Sequence, residues 1–322
     1  MTKLKRRILI TGIGGDIAQG IVRCIKEKYI DTFIVGCDAD NVITDEDIID
    51  LKFVVPLSSN EEEYIQSIIK ISIQNNITHI FPTTEQEIKV ISCNKDVILN
   101  SCNVKIIINN EKIIEVFTDK YKTIEFFKNN GIEYPKTYEL ESYSNQLKMP
   151  VIVKGKFSRG SKDVRIVYNE EEIKYLKKFC FNSVVQEYLG DVDNEFTVGV
   201  FSDGINVNSI IFKRVLGYGG LSKKVELIKN EEIDKLAIDI AKACNLKGSI
   251  NIQLRKEKNR YVPFEINPRI SSTVYFRKCF GFDDVNWWLD IIDNENLRVN
   301  YINKYKSGLG IKILKEIIVN LE

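Results

Sequence analysis

The chain has 322 residues, 44% of them apolar and 28% charged, with 46 Lys plus Arg against 45 Asp plus Glu. That length allows two or three domains with a substantial core, while the even charge balance supplies no basic excess for a phosphate backbone, so nucleic acid is not expected as a partner. One histidine and seven cysteines, with no CxxC pair, leave little material for a histidine base, a zinc site or a disulfide framework.

The first strand is "RILIT", ending in Gly12, Gly14 and Gly15, and the helix that follows carries Ile17, Ile21, Val22 and Ile25 on one face. Further strands are expected at "TFIVGCDAD" and "FVVPL". A helix with Ile65, Ile68, Ile69 and Ser72 at helical spacing comes next, then "ITHIFPTTEQEI", a strand running into a loop. His79 reads as a hydrogen-bonded strand-end residue. Alternating strands and helices over about the first 110 residues predict a parallel, doubly wound sheet. Thr118 or Asp119 then caps a helix that stops at Gly131, with Pro135 beyond. From Met149 short strands dominate, interrupted by a helix with Ile233, Leu236, Ala237, Ile240 and Ala241 inward, which predicts an α+β second half with antiparallel sheet. The last 20 or so residues are weakly patterned, about one strand and one helix. No apolar run reaches the ~18 residues of a membrane span, and the N-terminal charges lead straight into a strand, so the expectation is a cytoplasmic, uncleaved chain with no membrane association.

Gly12-x-Gly14-Gly15 after a strand, with Asp38 ending the next strand, is close to a dinucleotide fingerprint. The spacing departs from it: Ile17 stands where the third glycine belongs, and Ala18 comes one position late. Cofactor binding, another anion, or a tight turn against the helix all remain open for this loop.

The second half is denser in polar sets. In residues 248–269 two successive strands each alternate apolar with polar side chains, placing Gln253 on one and Glu265 and Asn267 on the other. Gln253 and Glu265 share a face if the hairpin loop is odd, with 258–260 as a three-residue loop, or if a bulge intervenes. Oxygen ligands with little charge suit Mg²⁺; an exposed sheet face would carry the same residues. Lys154 ends a strand before a loop with Gly155, Ser158, Arg159, Gly160 and Ser161, able to cover a triphosphate or to be a polar hairpin loop. Gln186, Glu187, Tyr188 and Leu189 reach a connection where backbone groups would meet an adenine edge, with Glu195 beyond for ribose hydroxyls; a strand end with a surface acid reads the same way. Lys213 and Arg214 are weaker candidates for a substrate carboxylate, and Ser271 for the substrate pocket. Trp287 and Trp288 read as helix packing.

In this order the pieces resemble the ATP-grasp superfamily over roughly residues 1–290, in the flavour of a half of the carbamoyl phosphate synthetase large subunit and the stand-alone carboxylate–amine ligases similar to it. Thr11 to Gly15 match the T-G-x-G-G opening of a Rossmann-like domain that does not bind NAD, and Pro82 to Ile88 echo its "P-T-x-D-x-E-L". Asp119-Lys120 match the family's "DK". Asn251-Ile252-Gln253 with Glu265-Ile266-Asn267-Pro268-Arg269 match "N-I-Q … E-x-N-P-R", the most specific of the matches. Departures are Gly155 for the usual proline, Asp163 for a loop glycine, and Arg159 for a small residue.

The resemblance implies a Rossmann-like domain at 1–112, a small ATP-grasp lobe at 113–190 and a large lobe at 191–322. It implies an ADP-forming ligase that activates a small carboxylate as an acyl phosphate and joins it to an amine, with ATP and one or two Mg²⁺ (or Mn²⁺) ions. Lys120, Lys154, Ser158, Gly160 and Ser161 would hold phosphates, Gln186 to Leu189 adenine, Glu195 ribose, and Gln253, Glu265 and Asn267 the metal, with Arg269 on the reacting oxyanion and Lys154 beside it. Small-molecule substrates are the expected partners, and a homodimer is compatible. The rivals are an NAD(P)-dependent oxidoreductase using the N-terminal loop, and a non-catalytic ATP-binding protein.

Overall fold

The computed structural model describes residues 6–41, 49–157, 164–190, 194–217, 222–303 and 305–313. Its first unit runs β1 (Arg7–Thr11), α1 (Asp16–Lys28), β2 (Phe33–Asp38), β3 (Leu51–Val54), α2 (Glu61–Gln74), β4 (His79–Phe81), α3 (Glu85–Cys93), α4 (Lys95–Ser101) and β5 (Lys105–Ile106). The strands form a parallel sheet in the order β3-β2-β1-β4-β5. The expected inward faces hold: Ile21, Val22 and Ile25 of α1 are buried, as are Ile65, Ile68, Ile69 and Ser72 of α2.

Two helices follow, α5 (Glu111–Thr118) and α6 (Lys120–Asn129). Asp119, not Thr118, caps the second, its Oδ1 accepting from the backbone N–H groups of Tyr121 and Lys122 at 2.8 and 3.2 Å. Next come β6 (Thr137–Glu139), β7 (Val151–Gly155), β8 (Arg165–Val167), α7 (Glu170–Leu176) and β9 (Ser183–Glu187), whose strands form an antiparallel sheet in the order β6-β9-β7-β8.

The last unit contains β10 (Glu195–Asp203), β11 (Val207–Leu216), β12 (Ser222–Ile228), α8 (Glu231–Ala243), β13 (Lys247–Glu257), β14 (Arg260–Asn267), α9 (Val274–Cys279), α10 (Asp284–Asp293) and β15 (Gly308–Ile311). Its antiparallel sheet has the order β14-β13-β10-β11-β12-β15. One face, with Val198, Val200, Ile250 and Ile252, packs under α8 and also under α5 and α6 through Ile113, Phe117, Ile124 and Phe127. The expected lobe start at 113 thus begins with helices whose apolar side chains join the core of the six-stranded sheet.

The opposite face carries Phe201 and Phe212 at one end, where they share a core with α9, α10 and the N-terminal Ile8, Ile10, Ile21 and Ile25. Trp288 is buried there, as helix packing required. Toward the four-stranded sheet that same face turns polar, with Glu195, Thr197 and Gln253. An ionic cluster reinforces the junction: Asp290 and Asp293 of α10 take Arg6, Lys28 and Lys105, and His79 Nε2 lies 3.0 Å from Asp293 Oδ1.

The glycine loop closes on its own domain. Gly12 has φ of +58°, and a β-carbon there would lie 2.9 Å from Thr83 Oγ1 and 3.0 Å from Thr84 Cγ2. The space above Gly12 is therefore filled by the segment leading into α3 rather than open to a pyrophosphate, which removes the main support for the dinucleotide reading. The backbone N–H of Gly14 donates to Asp38 Oδ2 at 2.9 Å, so that acid is engaged within the loop. Gly12→Ala should cost about 1–3 kcal/mol of stability, measured by urea unfolding; a loss below ~0.5 kcal/mol, the range of neutral surface changes, would show that the loop does not need its glycine.

Candidate functional site

The site is organised by the β13–β14 hairpin. Glu257 pairs with Arg260 and Leu254 with Pro263, but Gln253 pairs with Glu265 and Asn251 with Asn267. Phe264 is therefore the extra residue of a β-bulge, which restores Gln253 and Glu265 to one face. Of the two routes open to the sequence the chain uses the bulge; the turn is Lys258–Asn259, two residues rather than three. Asn267 Nδ2 donates to Glu265 Oε1 at 3.3 Å, so Gln253, Glu265 and Asn267 form one oxygen-rich cluster, flanked by Lys154 from β7 and Lys120 from the first turn of α6.

Burial alone would raise the Glu265 pKa, but Lys120, Lys154, Arg214 and Arg269 together hold it below the usual glutamate value. The group is thus an anion poised among four cations. Lys154 is shifted the opposite way, to about 8, chiefly by burial; Glu265 raises it in part, and Lys120 and Arg255 lower it further. The bulged Phe264 offers its ring to both Lys154 and Arg255, each 5.5 Å from the centroid. The backbone N–H of Lys120 donates to Lys156 O at 3.1 Å, joining α6 to the end of β7.

Glu195 is buried and already engaged: Arg214 donates to its Oε1 through Nε at 3.0 Å and through Nη2, while Arg255 donates to Oε2 from Nε and Nη2. Arg214 Nη2 also donates to Gln253 Oε1 at 2.9 Å. One arginine therefore links the expected ribose acid to the expected metal ligand. Arg255 Nη1 donates to Gly190 O at 3.0 Å, tying the connection after β9 to the large sheet. Gln186 is buried in the middle of its sheet, donating to Thr137 Oγ1 at 2.9 Å, and the Glu187 backbone N–H donates to Lys136 O at 2.8 Å. Tyr188 is half-buried and Leu189 buried beyond them.

Lys213 does not join the cluster. It alternates with Phe212 and Arg214 along β11 and so lies on the sheet face opposite the site. Ser271 is tied to the buried Arg277, whose Nη2 donates to its hydroxyl at 2.8 Å. Ser158, Gly160 and Ser161, with Arg159 and Asp163, lie outside the described residues.

Beside the cluster, on the same sheet face, is a buried network that sequence reasoning missed. Arg277 is fully buried; its guanidinium donates to Asn251 Oδ1, Thr273 Oγ1 and Asp284 Oδ2 at 2.6, 3.1 and 2.8 Å. It lies flat on β10, where a β-carbon on Gly199 would come within 2.5 Å of it. Asn251 faces Asn267 across the ladder, two residues from Gln253, so this network adjoins the cluster on the same sheet face. Glu85 falls within the Pro82–Ile88 echo and Arg255 alternates with Gln253 along β13, though neither was assigned a role; Phe264 was expected on the apolar face, and the bulge takes it out of that alternation.

Residues 117–273 match the family model described as "ATP-grasp domain". The chain thus carries an ATP-grasp domain over that stretch. The carbamoyl phosphate synthase large chain of Clostridium beijerinckii is 26% identical over 97% of the chain and 30% of that relative. The C-terminal section of the same protein from Aquifex aeolicus is 26% identical over 87% of the chain and 56% of the relative. The chain spans about a third of the length of the first of these. Among solved structures, biotin carboxylase from Campylobacter jejuni aligns with a TM-score of 0.73 at 18% identity, covering 92% of this chain and 72% of that one. An L-amino acid ligase from Bacillus licheniformis gives 0.73 at 16%, covering 91% and 75%. These two likenesses speak to the ATP-grasp fold, a parallel-sheet unit followed by antiparallel sheets.

Among the described residues no group of three His, Cys, Asp or Glu side chains is arranged for a metal, and no helix is long and apolar enough to cross a membrane. The Gln253–Glu265–Asn267 set still fits a hard divalent cation, since it offers oxygen and an ionised carboxylate. Lys154 should titrate with a midpoint near 8, read by ¹³C NMR of its ε-carbon. Between that pH and the ordinary lysine value the unfolded chain holds a proton that the folded chain has lost, so Lys154 makes stability rise with pH across that window. Glu265→Gln removes the carboxylate that raises the midpoint and should move it lower still; an upward shift would show that the two groups do not interact.

Proposed function

We propose that this protein is an ADP-forming ligase that activates a small carboxylate as an acyl phosphate and joins it to an amine. The observation that carries the reading is the convergence of Gln253, Glu265 and Asn267 on one face, with Glu265 held ionised by Lys120, Lys154, Arg214 and Arg269. The carbamoyl phosphate synthase relatives and the amino acid ligase among the solved structures support the class.

In the proposed reaction a substrate carboxylate oxygen bonds to the γ-phosphorus of ATP as the bond to the bridging oxygen breaks and ADP leaves. The amine nitrogen then bonds to the acyl carbon and loses a proton to solvent, and inorganic phosphate departs with its oxygen. Such transfer needs positioning and charge neutralisation more than a protein base. Lys120 and Lys154 hold outer phosphates; as they do so, the negative charge restores the proton that burial draws from Lys154. Gln253, Glu265 and Asn267 would hold Mg²⁺, whose chemistry is to neutralise the β- and γ-phosphate oxygens. Arg269 faces the charge that develops on the acyl group. The backbone of residues 187–189 receives adenine, and the ring of Phe264 offers an apolar surface nearby. Ribose hydroxyls reach Glu195 by exchanging with one of its two arginines.

Glu265→Ala should lower ATP-dependent phosphate release roughly a hundredfold or more with the circular dichroism spectrum unchanged; turnover near the wild-type rate would refute the assignment. Lys154→Ala should weaken calorimetric ATP affinity by roughly ten- to a hundredfold, and equal affinity would remove Lys154 from the phosphate site.

A further inference from the structure

Arg269 leaves β14 toward the N-terminal unit, and its partner there is an acid. Arg269 Nη2 donates to Glu85 Oε1 at 2.7 Å and to Asn267 Oδ1 at 3.4 Å, and Nη1 donates to Ile270 O at 3.0 Å. Its Nε is buried and makes no hydrogen bond among the described residues. A void of about 10 Å³ lies beside this side chain, lined in part by Pro82, Thr83 and Ile270. The Arg269 and Glu85 side chains keep 18% and 12% of their surface exposed, so the pair reaches solvent instead of being sealed in the core. Glu85 opens α3, and one turn further on Lys89 lies 5.2 Å from the ring of Phe157 at the end of the β7 segment. That face of α3 therefore contacts both the residue beyond β14 and Phe157 beyond β7.

The sign of Glu85 is the informative feature. A site that accepts only a bare carboxylate or bicarbonate beside Arg269 gains nothing from a fixed carboxylate at salt-bridge distance from that arginine, because the two anions repel. The pair is productive for a substrate that is itself a zwitterion, with its anionic end on the arginine and its cationic end on the acid. An α-amino acid separates its carboxylate and ammonium by one carbon, which suits two receptor groups already in contact.

We propose that Arg269 and Glu85 form a receptor for the carboxylate and ammonium of an amino acid, making a free amino acid the substrate class that is activated. This rests on the ligase reading and narrows it. The Arg269–Glu85 contact is then the closed form of the receptor, in which each group takes the place of one end of the substrate. Buried donor capacity at Arg269 Nε is available to the incoming carboxylate, and both receptor groups are anchored by elements from different units of the fold.

The test is phosphate release from Mg-ATP with amino acids, their des-amino counterparts (alanine against propionate, for example) and bicarbonate, using wild-type protein and Glu85→Gln. The change is isosteric, and α3 keeps its Thr84–Glu87 capping box, so the helix start is preserved. Wild type should use at least one amino acid with a KM roughly tenfold or more below that of its des-amino counterpart, as expected for loss of a charged contact. Glu85→Gln should raise the amino acid KM by a similar factor and lower the des-amino KM, because the carboxylate that repels a bare acid at Arg269 is gone, a split of opposite signs that a merely structural salt bridge would not produce. Calorimetric titration of the same amino acid into wild type with a non-hydrolysable ATP analogue should show binding that the des-amino acid lacks. Equal use of the two acids, turnover with bicarbonate alone, or an unchanged amino acid KM in Glu85→Gln would overturn the receptor while leaving the ligase reading in place. Nucleotide binding without phosphate release for any carboxylate would defeat the ligase reading, and the receptor with it.

Discussion

The arrangement depends on one anion held among cations. Glu265 sits on a sheet face whose opposite side is apolar core, in surroundings that would by themselves favour its protonated form. Four basic side chains, drawn from α6, β7, β11 and the end of β14, reverse that preference. The cost is shared: the cations also crowd one another, which is why Lys154 falls to about 8. A cluster with more positive than negative charge is incomplete until an anion of high charge enters, and a polyphosphate supplies that. The bulge at Phe264 is the backbone device that makes this possible, because without it Glu265 would not lie opposite Gln253.

Packing holds the parts in register. The face of the six-stranded sheet that bears the site runs on into Phe201 and Phe212, and there it shares a core with Ile8, Ile10, Ile21 and Ile25 of the parallel sheet. The N-terminal unit is therefore not a separate bead on the chain: it completes the hydrophobic face of the large sheet and brings Glu85 of α3 against Arg269. The acidic end of α10, gripped by Arg6, Lys28, Lys105 and His79, adds directional contacts to that apolar junction.

Much of this was legible in the sequence. The periodicity at Ile65, Ile68 and Ile69 and the strand–helix alternation predicted the parallel unit, and the alternation around Gln253 and Glu265 predicted a polar sheet face. α3 was read as a loop although Thr84 and Glu87 stand at capping-box spacing, because the preceding Pro82 and two threonines look like a connection. The long-range partners were not legible. Arg269 meets Glu85 across 184 positions, and Arg214 meets Glu195 across 19, with β10 and β11 forming the hairpin between them. Neither pair leaves a local pattern, since each is created by sheet order and core packing. Lys213 was misplaced because residue type alone does not say which side of a strand a neighbour occupies.

One contact bears on how the parts can move. Arg255 grips Gly190 O and, with the same guanidinium, the carboxylate of Glu195. Both ends of the short passage into β10 are thus stapled to the large sheet. A swing of the four-stranded sheet about this passage must pivot before Gly190, around Tyr188 and Leu189, where the proposed adenine would sit. A purine held by the backbone of residues 187–189, as proposed, would lie directly beside that staple.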